Sequence, residues 1–442
     1  MRDKPCIAVV SPFLDKRHGT ERCVVEQVER LAREYGYEVH LYSQRVEDLE
    51  GLEEFRGDNG FHGTPDEGSP TMAPAKAQSR ILWHKIPDVP GPHLVKYLWW
   101  LLANQFRRRQ DRRSLGLHYD LVYSPGINCF DADAIVVHIV FHEFCRQVRG
   151  ELRLRNTPLR AWPRALHRRL YYHLIMALEK RIYSNPRVML AAVSGLVARQ
   201  LQQWFGRDDV LVIPNAVDGE IFNPAARQSR REQARRRFQF KEEDFVLLLV
   251  GNDWKKKGLT CLLEAVVRCG SLPLKVLVVG RDDRTTFQPL IGRLNISDLV
   301  CFAEPSADVM QFYAAADAYV GPSLEDAFAL PAVEAMACGL PVIVSSRAGV
   351  CEVIRDGEDG LILEDPRDSR QLGELIRRLC TEPDLCRQLG KAAAETARPY
   401  SWERNTEQIQ TLFETILGSR SGASLLPLSG SSDVTRSTRD AG

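Results

Sequence analysis

Ser323-Leu324-Glu325-Asp326-Ala327-Phe328-Ala329-Leu330-Pro331-Ala332-Val333-Glu334-Ala335-Met336-Ala337-Cys338-Gly339-Leu340-Pro341 runs between two short apolar segments, Ala318–Val320 and Pro341–Val344. Short continuous apolar runs read as strands covered on both faces. Between them Pro331 suits the first turn of a helix, where its missing N–H costs nothing, and the pattern predicts a helix from Leu330 to Ala337. Strand, loop, helix and strand in this order make a parallel βαβ unit.

The same alternation extends upstream. Strand Val246–Val250 leads to a helix from Leu259 to Arg268, and strand Lys275–Val279 to a helix near Phe287–Leu294. A short strand at Val300–Phe302 precedes a helix over Val309–Ala315. The chain opens in like manner, with strand Cys6–Val10, a turn around His18-Gly19, a helix from Glu21 to Glu34 and strand Glu38–Ser43. Strand-like runs return at Leu121–Tyr123, Ala134–His138, Val188–Val193 and Val210–Ile213. The fold class is therefore α/β, with two Rossmann-like doubly wound domains facing across a cleft and joined near Asn215–Pro224. Ligands bind beyond the carboxyl ends of the strands in such sheets. The expected division is an N-terminal domain over 1–217, a C-terminal domain over 218–399, a last helix over 400–417 and a disordered tail over 418–442. Residues 57–79, rich in Gly, Pro, Asp, Ser and Ala, read as a mobile loop.

Composition sets the outer limits. A chain of 442 residues is too long for one ordinary core and suits two domains of about 200 residues each. A formal net charge of +1 argues against bulk nucleic-acid binding. The eleven cysteines form no C-x-x-C pair and many lie in apolar runs, which reads as reduced core thiols in a reducing compartment. Met1-Arg2-Asp3-Lys4-Pro5 has neither the apolar region nor the cleavage site of a signal peptide. No apolar run reaches the roughly 18–20 residues of a spanning helix. The expectation is a cytoplasmic protein, free or peripheral on the inner face of the cytoplasmic membrane.

Three loops carry the candidate chemistry. Ahead of Pro331, backbone N–H groups and the helix dipole can meet an anion, with Asp326 on the loop and Glu334 one turn inside. These carboxylates suit the hydroxyls of a ribose and a sugar; the plain alternative makes Asp326 a helix cap and Glu334 a surface residue. Val250-Gly251-Asn252-Asp253-Trp254-Lys255-Lys256-Lys257-Gly258 follows a strand and opens a helix, where a lysine can face a diphosphate or lie in a solvated basic loop. Lys16-Arg17-His18-Gly19-Thr20 also joins strand to helix, and Gly19 would let a phosphate approach the backbone.

Asp326-Ala327-Phe328-Ala329-Leu330-Pro331-Ala332-Val333-Glu334-Ala335-Met336-Ala337-Cys338-Gly339-Leu340-Pro341-Val342 resembles the E-x7-E signature of glycosyltransferase family 4, the retaining GT-B enzymes. The C-terminal half is most similar to the lipopolysaccharide core glucosyltransferase I type, and the resemblance spans Cys6 to Leu417. Pro214-Asn215-Ala216-Val217-Asp218 resembles the family's linker, and Ser401-Trp402-Glu403 the start of a helix that crosses back to the N-terminal domain. The resemblance implies that Glu334 holds ribose hydroxyls, that Asp326 touches the donor sugar, and that backbone groups near Phe328, Ala329 and Leu330 meet the phosphates. It implies that Lys257 neutralises the leaving diphosphate, beside Asn252 and across from Gly19. His138 matches the histidine that faces the reacting sugar, with His142 a nearby alternative. His138, Lys257 and Asp326 are thus the candidate catalytic residues. Three positions depart from the pattern: Asp326 replaces the usual glutamate, Ala329 a common glycine that leaves more room beside the donor, and Asn252 an arginine found in many members.

The implied reaction is front-face transfer of a hexose, with retention, from a nucleotide-diphosphate sugar, UDP by subfamily resemblance, to a hydroxyl of a glycan or lipid-linked glycan in lipopolysaccharide or other cell-envelope polysaccharide synthesis. No cofactor and no metal are expected. Asp131-Ala132-Asp133 has the letters of a metal clamp but precedes a strand instead of following one. Arg107–Arg113 follows the apolar run Leu94–Leu102, and Arg164–Ile182 places Leu166, Leu170, Leu174 and Leu178 on one stripe beside Arg168, Arg169, Lys180 and Arg181. Basic amphipathic helices suit an anionic membrane surface; stripes turned to the domain core are the other reading. Two rivals to the transferase remain, a sugar-nucleotide epimerase of the same fold and a non-catalytic sugar-nucleotide or glycan-binding protein.

Overall fold

The computed structural model describes residues 5–16, 19–55, 81–147 and 162–420. Residues 57–79, read as a mobile loop, and 421–442 of the tail lie outside them. Every strand pairing is parallel. The first sheet has eight strands, ordered Leu211–Val212, Met189–Ala192, Ala134–Val137, Leu121–Pro125, Cys6–Val10, Glu38–Ser43, Ile81–Lys85 and Leu52–Glu54. The second has six, ordered Val300–Ala303, Leu274–Val279, Phe245–Val250, Ala318–Gly321, Val342–Ser345 and Leu361–Leu363. The strand order reverses beside Cys6–Val10 in the first sheet and beside Phe245–Val250 in the second. That reversal opens a crevice at the carboxyl edge, where the helices on either side diverge.

Apolar continuity explains the strands. Cys6-Ile7-Ala8-Val9-Val10 is wholly buried, as are Val246 to Leu249. Each fully buried Val, Leu or Ile contributes about 1.5–3 kcal/mol, so these runs belong to the centre of a sheet covered by helices on both faces.

Helix Trp402–Arg420 leaves the second domain and lies on the first. Phe413 stands 5.4 Å from Tyr123 and 6.2 Å from Tyr37, ring centre to ring centre. Gln27 Nε2 donates to Asn405 Oδ1 at 2.8 Å, and Asn405 Nδ2 donates to the Pro214 carbonyl at 2.6 Å. The helix runs three residues into the segment expected to be disordered. Arg420 donates to the Asp120 carbonyl and pairs with Asp133, which holds its last turn.

The leucine stripe of the basic helix Trp162–Tyr183 is not one face. Leu166 and Leu170 are exposed, whereas Leu178 and Ile182 sit in the core. The first half meets the domain through Ala165, His167 and Tyr171 and leaves Leu166 and Leu170 exposed, whereas the second half is more deeply packed. Among the described residues no helix is long and apolar enough to cross a membrane. None of the eleven cysteines is in a disulfide.

Candidate functional site

A cavity of about 1100 Å³ lies where the carboxyl edges of the two sheets face each other. Gly19, His138, Asn252, Lys257, Asp326, Phe328, Ala329, Leu330 and Glu334 all line it. Gly19 begins the helix after the strand Cys6–Val10, and His138 follows the strand Ala134–Val137. The lysine loop follows Phe245–Val250 and the Asp326 loop follows Ala318–Gly321, the two strands flanking the reversal in the second sheet.

Lysine and its glycines form one device. Gly258 has φ +78°, and a Cβ there would stand 1.9 Å from the Pro322 carbonyl oxygen. Gly251 has φ +137°, and a Cβ there would stand 2.8 Å from Lys257 Cε. The lysine stem therefore lies against a bare α-carbon and its ammonium reaches Asp326 Oδ2, with which it pairs. Asn252 turns away from this pair, its Oδ1 accepting from the Arg281 N–H at 3.0 Å. It braces two loops.

The two oxygens of Asp326 have different partners. One oxygen faces Lys257. The other accepts from the Ala329 N–H at 2.8 Å and the Phe328 N–H at 3.3 Å. Two of the amides expected to meet a phosphate are thus already engaged by a side chain. Ala329 has φ +66° and ψ +60°, the left-handed region. A glycine suits this position for its backbone freedom, a reason that spacing beside a donor did not supply.

Glu334 is buried. Its Oε2 accepts from the Tyr313 hydroxyl at 2.5 Å, and its Oε1 from Arg22 Nη1 at 3.1 Å. Burial raises the carboxyl above its ordinary range, and Arg22 opposes the shift. The guanidinium reaches across the cleft from the first domain and lies 5.8 Å from the ring centre of Phe222 and 6.0 Å from that of Trp402. Neither Arg22 nor Tyr313 belongs to a motif. The usable signal was physical: a carboxylate on the buried side of a helix requires a partner.

His138 has its Nε2 withdrawn from solvent with no hydrogen-bond partner among the described residues. Burial pushes its imidazole down to about 4, so it is neutral at pH 7. His142 is placed elsewhere. Its Nδ1 lies 2.7 Å from Glu179 Oε2, and the same carboxylate accepts from the Phe141 and His142 N–H groups at 2.6 and 3.0 Å. Glu179 fixes the helix Phe141–Gln147 that follows His138. Direct bonds also join the domains: Ser194 Oγ donates to the Ala327 carbonyl at 2.6 Å, and the Gly195 N–H to Glu352 Oε2 at 2.7 Å.

Two family models match adjoining parts of the chain: glycosyltransferase family 4 over residues 17–220 and glycosyl transferases group 1 over 230–396. D-inositol 3-phosphate glycosyltransferase of Geodermatophilus obscurus is 34% identical over 232 residues, covering 49% of this chain and 50% of that protein. Lipopolysaccharide glucosyltransferase WaaG of Escherichia coli K12 is 32% identical over 190 residues, 42% of this chain and 48% of that one. The chain thus spans about half the length of these relatives. Among solved structures, WaaG, a glycosyltransferase involved in lipopolysaccharide biosynthesis, superposes with a TM-score of 0.67 at 20% identity, over 94% of this chain and 100% of that one. Anabaena HepE in complex with UDP-glucose gives 0.62 at 17% identity, over 93% and 99%. These likenesses establish the GT-B fold.

Proposed function

Because the chain belongs to the glycosyltransferases, with a family 4 half and a group 1 half, we propose that it moves a hexose from a UDP-sugar to a hydroxyl of a glycan or lipid-linked glycan in cell-envelope polysaccharide synthesis, with retention and without a metal at the donor. One observation carries the reading: Lys257, Asp326 and Glu334 share a cavity of about 1100 Å³ with Gly19 and His138 from the opposite domain. The volume exceeds that of an ordinary small-ligand pocket, enough for a donor together with part of an acceptor.

In this reading the diphosphate joins Lys257, whose charge, with the dipole of helix Leu330–Ala337, stabilises negative charge on the leaving oxygen. The ribose hydroxyls donate to Glu334, whose oxygens each accept one protein bond and retain a lone pair. Neutral His138 offers a hydrogen-bonding nitrogen to the transferring sugar. The acceptor oxygen bonds to the anomeric carbon on the face the diphosphate leaves, and its proton passes to the departing diphosphate oxygen. Incubating purified protein with UDP-hexoses and glycan acceptors tests this: nucleoside diphosphate should accumulate only when an acceptor is present, with the anomeric configuration kept by NMR and the rate unaffected by EDTA. Acceptor-independent release, inversion or EDTA sensitivity would each remove the corresponding part.

A second reading has an observation of its own. Asp326 engages the Phe328 and Ala329 amides, which would suit a sugar-nucleotide-binding protein that does not turn over. Calorimetric donor binding with no transfer to any acceptor would favour it.

The acceptor side is proposed to meet an anionic membrane. On helix His93–Ser114, Val95, Trp99, Leu102 and Phe106 form an exposed stripe, continued by Arg109 and Arg113. Trp99, Leu102 and Phe106 border an apolar recess of about 350 Å³ with Ile86 and Lys85. Exposed aromatic and apolar groups beside arginines match a headgroup boundary. Flotation with anionic but not neutral liposomes is expected, and failure to float at low salt would end the proposal.

A further inference from the structure

The other edge of the first sheet holds a cluster that the cleft does not use. Cys6 and Glu38 begin adjacent parallel strands and are register partners, and His40 lies two residues further along the same face. The Cys6 Sγ, a carboxylate oxygen of Glu38 and a ring nitrogen of His40 all lie within 4.8 Å of one another. Cys6 and His40 are fully buried, and the Glu38 side chain is 40% exposed. The cavity lies at the far ends of these strands, roughly 16 Å away at about 3.3 Å per residue.

The hydrogen bonding behind His40 fixes which of its nitrogens faces this group. His40 Nδ1 stands 2.8 Å from His84 Nε2, and His84 Nδ1 stands 2.8 Å from Asp111 Oδ2. Asp111 also accepts from the Tyr42 hydroxyl at 2.8 Å and from Arg107 Nε at 3.3 Å. His84 is stacked between Tyr42 and Phe55, with ring centres 4.4 and 4.3 Å away. His40 Nδ1 is thereby turned to His84, and His40 Nε2 faces Glu38 Oε1 from 3.0 Å. A thiol brought to the same point is a ligand for a metal.

We propose that Cys6, Glu38 and His40 form a structural site for a zinc-class divalent cation at the amino-terminal edge of the first sheet. Thiolate, imidazole and carboxylate are zinc ligands, and water completes a tetrahedral set on the exposed Glu38 side. His84, packed against His40 and backed by Asp111, is the outer support that orients a ligating imidazole. Binding takes up the Cys6 sulfur as thiolate, releasing its proton to solvent. The ion would tie together the strands Cys6–Val10 and Glu38–Ser43, the first of which leads to the Gly19 side of the cleft.

The test uses the full chain, purified without added metal and free of a histidine tag. Elemental analysis should find about one zinc per chain. After exchange with cobalt(II), a thiolate-to-cobalt charge-transfer absorption should appear in the unaltered protein and be lost in Cys6→Ser. His84→Gln should weaken zinc binding about 10- to 100-fold while leaving the ligands in place. Glu38→Gln, a change on the exposed side, should weaken binding without unfolding the chain. No bound metal and no cobalt band in the folded, unaltered protein would overturn the proposal and leave a plain His40–Glu38 contact. A cobalt band undiminished in Cys6→Ser would overturn it as well, because the metal would then sit on other cysteines.

Discussion

Replacing Arg22 by methionine keeps most of the aliphatic stem and removes the charge that reaches Glu334. The buried carboxylate then has Tyr313 as its remaining donor. Losing one partner of a buried pair can reach 3–5 kcal/mol, but Glu334 has an escape, because it can take up a proton. Relative to an unfolded carboxyl at 4.5, protonation at pH 7 costs at most about 1.36 × 2.5, or roughly 3 kcal/mol. Since the carboxyl is already raised in the intact protein, the electrostatic loss must be smaller than that, below about 3 kcal/mol. The sign follows from proton linkage. A raised carboxyl favours the folded state below the unfolded value and loses that advantage as pH rises through the folded value, and removing Arg22 raises the folded value further. The two proteins should therefore differ little at pH 4.5 and diverge towards pH 7. Urea unfolding followed by the fluorescence of Trp402, which packs beside Arg22, reads the difference. A destabilisation of equal size at both pH values would refute the reasoning and assign the effect to packing alone.

Lys257→Ala should lower turnover at least tenfold, a loss above about 1.4 kcal/mol in transition-state binding; an unchanged rate constant in steady-state assays would remove Lys257 from the chemistry. Ala329→Gly should fall within about 1 kcal/mol of the parent by urea midpoint, whereas Ala329→Val, β-branched at φ +66°, should lose about 2 kcal/mol or more. A tolerated valine would show that the loop is not held in this conformation. Burial lowers His138 from 6.5 to about 4, so its contribution is present above pH 6.5 and lost as pH falls towards 4, about 3 kcal/mol in all. His138→Asn should flatten the pH dependence of stability across that window, and an unchanged slope would contradict the burial.

Much of the fold was legible because its strands are buried on both faces and read as unbroken apolar runs. Cys6–Val10, Glu38–Ser43 and helix Leu330–Ala337 stand where that reading put them. Helix Pro224–Arg237 was not legible, because polar contacts hold it in place of an apolar stripe. Arg231 and Arg235 donate to the Ala316 and Ala315 carbonyls and both pair with Asp317. Strands Leu52–Glu54 and Ile81–Lys85 are short and separated by a segment without periodicity. In the site, legibility followed sequence distance. Lys257, Asp326 and Glu334 sit in contiguous motifs. Arg22 meets Glu334 across 312 residues, and no local pattern encodes such a meeting.

The departure at Asp326 has a geometric meaning that the motif alone could not supply. A carboxylate on a short side chain can fold back on its own loop and accept the N–H groups two and three residues ahead, as Oδ1 does from Phe328 and Ala329. A glutamate, one methylene longer, would carry its carboxylate past these amides and into the cavity. The aspartate therefore draws its second oxygen, and Lys257 with it, towards the loop. Ala329 belongs to the same adjustment, since its N–H is one of the two captured groups and its left-handed backbone turns that N–H inward. Glu334 keeps the residue of the family signature, but Arg22 and Tyr313 already occupy one bond on each of its oxygens. A donor bound as proposed would thus meet Glu334 held by two partners and Asp326 bound to its own loop. Selectivity among donor sugars should then respond more strongly to Asp326→Glu than to any change at Asn252, whose side chain is committed to the Arg281 backbone. A donor profile unchanged by Asp326→Glu would mean that this carboxylate serves the loop and the lysine alone.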